Sequence, residues 1–331
     1  MDKVGIKIAV IGGGTGSFTL LTQLKHYTRH LTALVNMADD GGSTGQLRDE
    51  FGVLPPGDVR QCLVALSESP RVRDLFNYRF DSGSMEGHAF GNLFLTALEK
   101  MTGSFAEAVE TASEVLNITG SVHPVTLDKV TLVLHRKEGK TIEGEFAIAH
   151  VNFAGDTHPE LELRPHATLN PAARAAILDA DMVVIAPGNI YGSLAPALIV
   201  SGMSEALQQA KGKKVYVCNL VTKPGQTDNF QVHDFAGEIE RFGGFKLDYV
   251  LYNNAKPSEY LLKRYAKENE YWVGYDEALL ARQSYETIGG HFVSNTRQKQ
   301  PPKGDSIAAT RTLIRHDADA VARQLMRIYL G

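Results

Sequence analysis

The first thirty residues constrain the fold of this chain most strongly. Residues 6–11 form a short apolar run, a glycine-rich turn follows, and a helical pattern covers residues 18–27. Strand, glycine turn and helix in this order are typical of the opening unit of a nucleotide-binding α/β fold. Backbone N–H groups at such a turn and helix start bind phosphate. The candidate diphosphate ligands here are Gly12, Gly13, Gly14, Thr15 and Gly16.

The glycine spacing does not favour a dinucleotide cofactor. Ser17 occupies the place of the third glycine of G-x-G-x-x-G, and no G-K-[ST] follows to make a P-loop. A plain tight turn is the alternative interpretation of the glycines. The motif therefore predicts a nucleotide-binding α/β fold. Among the functions that we consider, an NAD-dependent dehydrogenase ranks last.

The second half of the chain alternates predicted strands with helices. Strands are predicted at residues 182–186, 214–220 and 247–252, each followed by a polar loop and a helix. This order predicts an α/β fold with a doubly wound, mostly parallel, Rossmann-like sheet and helices on both faces. Ligands bind such sheets beyond the carboxyl ends of the strands.

The middle of the chain interrupts this alternation. The period changes to two over residues 130–150, around a turn at residues 138–140, and predicts a β-hairpin. We predict a single α/β domain over residues 1–331, in which residues 102–165 form an inserted helix and hairpin subdomain. That hairpin is the expected contact of a homodimer, and residues 297–303 are predicted to be a surface loop.

Composition excludes several classes of protein. The net charge is -4 over 331 residues, so no nucleic-acid partner is expected. Cys62 and Cys218 are far apart in sequence and indicate neither a disulfide framework nor a zinc site, which favours a reducing cytoplasm. The uncharged residues 182–204 contain Pro187 and Pro196, so they are predicted to be a buried strand and helix rather than a membrane span.

A second motif combines carboxylates, hydroxyls and arginines after the second predicted strand. It consists of DDGGSTGQLR at residues 39–48 and LPPGDVR at residues 54–60. Paired carboxylates beside phosphates require a cation such as Mg²⁺ between them. A turn followed by a helix N-cap is the alternative interpretation. The candidates here are Asp40 and Asp58 as Mg²⁺ ligands and catalytic groups, Arg60 as a catalytic group, and Asp39, Gly41, Gly42, Ser43 and Arg48 as ligand contacts.

These motifs, in this order, carry a resemblance to a known family. Further matching elements are Gly87-His88 with Gly91-Asn92, Asn170-Pro171, Pro187-Gly188 with Tyr191, and Arg315-His316-Asp317. The chain resembles the family (UPF0052) that joins the YvcK-like gluconeogenesis factors to the CofD-like 2-phospho-L-lactate transferases. DDGGSTGQLR and the IRHD segment place the resemblance closer to the YvcK-like branch.

The two branches imply different functions. The YvcK-like branch implies a cytoplasmic regulator that binds UDP-sugars such as UDP-N-acetylglucosamine, acts through a protein partner and supports cell shape and wall synthesis during gluconeogenic growth. The CofD-like branch implies a transferase that uses Mg²⁺ to cleave a nucleoside diphosphate-linked donor. The regulator is our prediction, and the transferase is the alternative.

Two loops depart from the family pattern. Residues 187–193 read PGNIYGS where PGSLYTS is expected, and residues 222–227 read TKPGQT where TQPGET is expected. Gly192, Lys223 and Gln226 are therefore unusual, and they put the identity of the ligand in doubt more than the fold.

The remaining candidates come from the predicted loops and from the resemblance. His88 could be structural rather than catalytic, Asn36 could be satisfied by backbone groups, and Tyr265 fits the apolar face of its helix equally well. The catalytic candidate is His88, and the candidate ligand contacts are Asn36, Asn92, Pro187, Gly188, Asn189, Tyr191, Ser193, Asn253, Lys256, Tyr265 and Arg315.

Overall fold

The computed structural model describes residues 5–137, 139–153, 159–294 and 315–331. The predicted loop at residues 297–303 lies outside them. The strands are β1 Lys7–Gly12, β2 His30–Val35, β3 Ser121–Pro124, β4 Thr131–His135, β5 Thr141–Glu143, β6 Glu160–Arg164, β7 Met182–Ile185, β8 Lys213–Val217, β9 Tyr249–Asn253 and β10 Glu286–Gly290. The helices are α1 Gly14–Leu24, α2 Gly42–Phe51, α3 Gly57–Leu66, α4 Pro70–Asn77, α5 Phe90–Thr102, α6 Phe105–Leu116, α7 Glu145–His150, α8 Pro171–Asp179, α9 Ala195–Leu198, α10 Met203–Gln209, α11 Val232–Gly243, α12 Glu259–Ala266, α13 Glu277–Leu280 and α14 Ala318–Leu330, with a π-helical turn at Ile190–Leu194.

The central sheet has seven parallel strands in the order β10-β9-β8-β7-β1-β2-β3. β1 pairs with β2 on one side and with β7 on the other. The strands β2 and β3 therefore extend the sheet on one side of β1, and the strands β7 to β10 extend it on the other side. The reversal opens a crevice at the carboxyl ends of β1 and β7, where ligands bind in folds of this kind. The predicted Rossmann-like α/β class is confirmed.

A second sheet of three antiparallel strands lies beside the central one, in the order β5-β4-β6. β4 and β5 form the predicted hairpin. The strand interpretation of residues 145–150 is wrong, because these residues form α7 after Gly144, whose φ of 96° ends β5. Within residues 102–165, α6 packs on α5 and β3 joins the central sheet. The strands β4, β5 and β6 form the second sheet, and α7 packs on it.

β10 was not predicted from the sequence. Its residues read ETIGG and contain two glycines and a single large apolar side chain, Ile288. Glycine is disfavoured in strand interiors, so local propensity argues against a strand here. The strand forms because its backbone pairs with β9 at the edge of the sheet.

The core lies between the central sheet and its helices. All four residues of β7 and five of the six of β1 are buried, as expected for parallel strands covered on both faces. In the described ranges, no helix combines the length and apolar character needed to cross a membrane.

Candidate functional site

A cavity of about 400 Å³ opens at the carboxyl ends of β1 and β7. It is formed by the glycine turn, by the loop after β7 and by the loop after β8, with Glu270, Arg315 and His316 at its border. The carboxyl ends of parallel strands meet at one edge, so three loops that are distant in sequence converge there. A larger groove of about 750 Å³ lies between α10 and α11 at the opposite, amino ends of β8 and β9, away from every predicted site residue.

The glycine turn is shaped by close contacts on both sides. A Cβ on Gly16 would lie 1.7 Å from the carbonyl oxygen of Pro187, and one on Gly13 would lie 2.1 Å from a carboxylate oxygen of Asp58. Gly14 has a φ of 61°, in the left-handed region that favours glycine. The turn therefore brings the first N–H groups of α1 to the cavity, which suits an anion.

Ser17 adds a buried polar group to this turn. Its side chain is 1% exposed, and within the described residues its hydroxyl has no hydrogen-bond partner. A buried hydroxyl of this kind calls for an explanation, and a bound ligand or water could supply the partner.

The loop after β7 is held by two asparagines. Oδ1 of Asn189 accepts hydrogen bonds from the backbone N–H groups of Tyr191 (3.1 Å) and Gly192 (3.3 Å). Asn219, which the sequence analysis missed, accepts from the Gly188 N–H and donates to the Gly188 carbonyl at 2.7 Å. These contacts fix the loops after β7 and β8 to each other beside the glycine turn.

Two predicted residues of the β7 loop have different environments. Ser193 lines the cavity together with Pro187, Gly188 and Asn189. Tyr191 is 1% exposed and packs edge-on between two aromatic rings of the core, Phe153 and Phe242. Burial raises the pKa of its phenol above the ordinary range.

The three predicted carboxylates gather beyond the end of β2. Asp39 accepts a hydrogen bond from the Gly41 N–H at 3.0 Å, and Asp40 accepts one from the Phe146 N–H at 2.7 Å. Burial and the charge of Asp39 raise the pKa of Asp58 to about 7, although a hydrogen bond from the Gly14 N–H opposes that shift. Asp58 thus connects the carboxylates to the glycine turn.

A fourth carboxylate, Glu145 of α7, joins this group and was not predicted. Its Oε1 lies 2.4 Å from the position that a Cβ on Gly192 would occupy. Burial, followed by the charges of Asp39, Asp58 and Asp40, raises its pKa to about 8, and Lys223 opposes this shift. The only signal in the sequence was indirect, since Gly192 and Lys223 are the two departures that adjoin Glu145.

The carboxylates of the site can be compared with the ligands that Mg²⁺ usually has. Among the described residues, no three His, Cys, Asp or Glu side chains are arranged to hold a metal by themselves. Mg²⁺ is commonly held by one or two carboxylates, waters and ligand phosphates, and an excess of negative charge favours a cation. The carboxylates therefore fit a cation that the ligand helps to hold.

A chain of hydrogen bonds links the other polar candidates. The Ser43 hydroxyl and His88 Nδ1 are 2.9 Å apart, and Asn92 Nδ2 lies 3.4 Å from the same hydroxyl. Arg60 Nε donates to Asn92 Oδ1 at 2.9 Å, and another guanidinium nitrogen donates to Asn77 Oδ1 at 2.6 Å. The guanidinium of Arg60 is thus directed toward amide side chains, and it is 7% exposed.

Arg315 and His316 lie shortly before α14. Both border the cavity, and the role of Arg315 as a contact of the nucleotide sugar stays a prediction. His316 Nε2 is 3.0 Å from the Cys218 carbonyl oxygen, and burial lowers the pKa of His316 to about 4. The imidazole is therefore neutral at pH 7 and donates its Nε2 proton to that carbonyl.

Five further candidates lie outside the lining of the cavity. Asn36 accepts from the Ala38 N–H, Asn253 accepts from the Phe292 N–H, and Tyr265 is 5% exposed against Leu220, as its core-packing alternative predicted. Arg48 forms an ion pair with Asp49 at 3.5 Å, and Lys256 is exposed. Their roles as ligand contacts stay predictions.

Fold and cavity together define a Rossmann-like α/β protein with a glycine turn at its switch point, the place where the strand order of the sheet reverses. The sequence model of the family described as 2-phospho-L-lactate transferase CofD matches residues 8–293. The chain belongs to this family, which confirms the resemblance.

Similar proteins support the same conclusion. The gluconeogenesis factor of Bacillus subtilis is 36% identical over 325 residues, covering 97% of each chain. A protein from Clostridium acetobutylicum is 39% identical over 331 residues, covering 97% of this chain and 69% of that protein. A crystal structure of a UPF0052 family member from Bacillus halodurans superposes with a TM-score of 0.87 at 35% identity, covering 98% of this chain and 100% of that one.

Proposed function

We propose that the chain binds a UDP-sugar in the switch-point cavity and acts as a regulator that supports cell shape and wall synthesis during gluconeogenic growth. The observation that carries the proposal is the cavity itself, in which the glycine turn, Lys223 and Arg315 surround one space. Its volume of about 400 Å³ is in the range of small-molecule sites. A cytoplasmic location and an unidentified protein partner belong to this proposal, as does a homodimer.

The charges of the cavity favour a diphosphate. Burial lowers the pKa of Lys223, while the nearby carboxylates Glu145 and Glu270 oppose that shift. A diphosphate at the glycine turn would provide a further counter-charge for Lys223 and Arg315. The names of the relatives agree with a role in gluconeogenic growth.

The second candidate is the transferase, which one contact favours. Asp58 adjoins the glycine turn through the Gly14 N–H, so a Mg²⁺ held by Asp58 and Asp40 would adjoin a bound diphosphate. Such an ion neutralises charge that develops on a leaving phosphate. Binding groups alone do not establish catalysis, because catalysis requires tighter binding of the transition state than of the ligand.

Calorimetry distinguishes the two functions. The purified protein is titrated with UDP-N-acetylglucosamine, UDP-glucose, GDP, GTP and NAD, each with and without Mg²⁺. Binding of a UDP-sugar that is recovered unchanged after long incubation supports the regulator. Preference for a guanine nucleotide with strict Mg²⁺ dependence, or release of a nucleoside monophosphate, supports the transferase and contradicts the regulator.

A pair of glycine variants tests the position of the diphosphate. Gly14→Ala puts a side chain at a φ of 61° in the turn, and Gly103→Ala does the same at a φ of 73° at the end of α5, where the surrounding space is open. Both substitutions strain the backbone at a cost of about 1 kcal/mol. We expect only Gly14→Ala to weaken UDP-sugar binding, by roughly tenfold or more. Equal affinities in the two variants would place the diphosphate elsewhere.

A further inference from the structure

A short segment after α12 brings an acidic residue to the border of the cavity. Residues 271–273 of this segment run antiparallel to residues 220–222 of the loop after β8. The Thr222 N–H donates to the Tyr271 carbonyl at 2.7 Å, and the Thr222 hydroxyl accepts from the Tyr271 N–H at 3.0 Å. The segment is therefore fixed to the loop that follows β8.

The next pair in this register is Lys223 with Glu270, and both residues line the cavity. Residues at opposite positions of antiparallel segments have side chains on the same face, with Cβ atoms about 5 Å apart. Burial lowers the pKa of Lys223, and the charges of Glu145 and Glu270 oppose this shift. Burial raises the pKa of Glu270, and the charge of Lys223 opposes this shift. A cation and a carboxylate thus lie side by side at the cavity, both half-buried.

Among the described residues that line the cavity, Glu270 is the only one with an acidic side chain. A dinucleotide-binding fold has its ribose carboxylate at the end of β2, where this chain has Asp39 and Asp40. Asp39 accepts a hydrogen bond from the Gly41 N–H, and Asp40 accepts one from the Phe146 N–H. Neither aspartate lines the described cavity, so a ligand hydroxyl held there would meet Glu270 instead.

The order of the groups in a nucleotide fits the order of these side chains. The N–H groups of the glycine turn and the ammonium of Lys223 suit a diphosphate, to which the ribose is directly bonded. The 2′ and 3′ hydroxyls of ribose are adjacent and cis, so both can donate to the two oxygens of one carboxylate. A carboxylate beside the phosphate-binding lysine is therefore well placed for the ribose.

We propose, resting on the UDP-sugar binding proposed above, that Glu270 accepts hydrogen bonds from the ribose hydroxyls and makes the site select ribonucleotides over 2′-deoxyribonucleotides. The nucleoside then lies toward the loop after β8, on the side of β1 opposite to β2. Hydrogen bonds to an ionised carboxylate are stronger than those between neutral groups, so the loss of one hydroxyl should weaken binding about tenfold.

The ribose contact is tested with Glu270→Ala and with Glu268→Ala as the matched control. Glu268 belongs to the same segment, is exposed and is not among the described residues that line the cavity. Calorimetry measures the Kd of UDP-N-acetylglucosamine and of its 2′-deoxyuridine counterpart. The wild type and Glu268→Ala should prefer the ribose form about tenfold, and Glu270→Ala should bind the two forms within about twofold of each other. A preference that Glu270→Ala retains would overturn the inference.

Lys223→Gln separates a direct contact of Glu270 from an effect that passes through Lys223. This variant keeps a polar side chain and removes the charge that faces the diphosphate. It should weaken both compounds by a similar factor, roughly fivefold, and leave the preference for the ribose form at about tenfold. If Glu270→Ala likewise changes both Kd values by one factor and keeps the preference, Glu270 acts only through Lys223 and does not contact the ribose.

The outcomes separate this inference from the function on which it rests. If the wild-type protein binds UDP-N-acetylglucosamine and its 2′-deoxyuridine counterpart equally well, the ribose contact is absent although the proposed function stands. If the wild-type protein binds neither compound, this inference fails, and the titrations with the other UDP-sugars decide whether the proposed function fails with it.

Discussion

At the residue scale, the surroundings of Asp58 make the ionised form of its carboxyl group unfavourable. Its pKa is about 7 in the folded chain, because burial and the charge of Asp39 disfavour ionisation. In the unfolded chain the pKa of an aspartate is about 4. Between these values the folded state binds more protons than the unfolded state, so ionisation of Asp58 lowers stability as pH rises through about 4 to 7. The ionised carboxyl of Asp58 destabilises the folded state, and a bound cation or a ligand hydroxyl next to it would reduce this destabilisation.

Asp58→Asn should therefore alter the pH dependence of stability. Without the ionisable group, the variant should gain in melting temperature relative to the wild type as pH rises from 5 to 8. Scanning calorimetry at the two pH values measures this difference. Asp74→Asn, at an exposed position of α4, is the control and should show no such gain. A constant difference between Asp58→Asn and the wild type at both pH values would contradict the raised pKa.

At the element scale, the sequence predicted what local patterns encode. The run at residues 6–11, the glycine turn and Asn170 before Pro171 each determine an element through neighbouring residues. β1, α1 and α8 formed at these places, although α1 begins at Gly14 and not at residue 18. α7 and β10 depend on partners that are distant in sequence. Residues 145–150 have a short apolar pattern that fits a strand or a helix, and the contacts of Asp40 and Gln226 hold them as a helix.

The same limit applies to the site. The glycine turn and the DDGG and PPGD motifs are contiguous, so the sequence identified them, and the structure places them together. Glu145 is a single glutamate beside a phenylalanine, and Asn219 is a single asparagine after β8. No local pattern marks either residue, because the place of Glu145 beside Gly192 and that of Asn219 at the cavity arise from the packing of the second sheet and of the loop after β8.

The anchoring of α7 gives a prediction that belongs to this scale. Gln226→Leu removes both side-chain hydrogen bonds to the Ile148 and Val151 carbonyls, each worth about 1 kcal/mol. Amide hydrogen exchange of residues 145–150 should become faster, while that of the central sheet stays as in the wild type. Gln208→Leu is the control, since Gln208 binds the Gly244 carbonyl at the end of α11 in the same way. Unchanged exchange in α7 would show that Gln226 does not stabilise this helix.

At the scale of the whole molecule, the two halves of the sheet are joined by the pairing of β1 with β7, and the loops that follow these two strands meet at a close backbone contact. The half that begins with β1 carries the glycine turn, and the half that begins with β7 carries the loops after β7 and β8 that also border the cavity. Gly16 of the glycine turn lies against Pro187 of the loop after β7. No room exists there for a side chain, since a Cβ on Gly16 would lie 1.7 Å from the Pro187 carbonyl oxygen. The width of the cavity is thus set by the close packing of α1 against the loop after β7.

Gly16→Ala should therefore push the glycine turn and the loop after β7 apart and destabilise the fold. A backbone oxygen cannot rotate away as a flexible side chain does, so the loops must move, at a cost of about 3 kcal/mol. We expect the melting temperature to fall by about 5 °C in calorimetry. Gly237→Ala, in the interior of α11 with open space around it, should instead raise the melting temperature slightly, because alanine favours a helix more than glycine does. If the two variants melt alike, the close contact between Gly16 and Pro187 does not contribute to the stability of the fold.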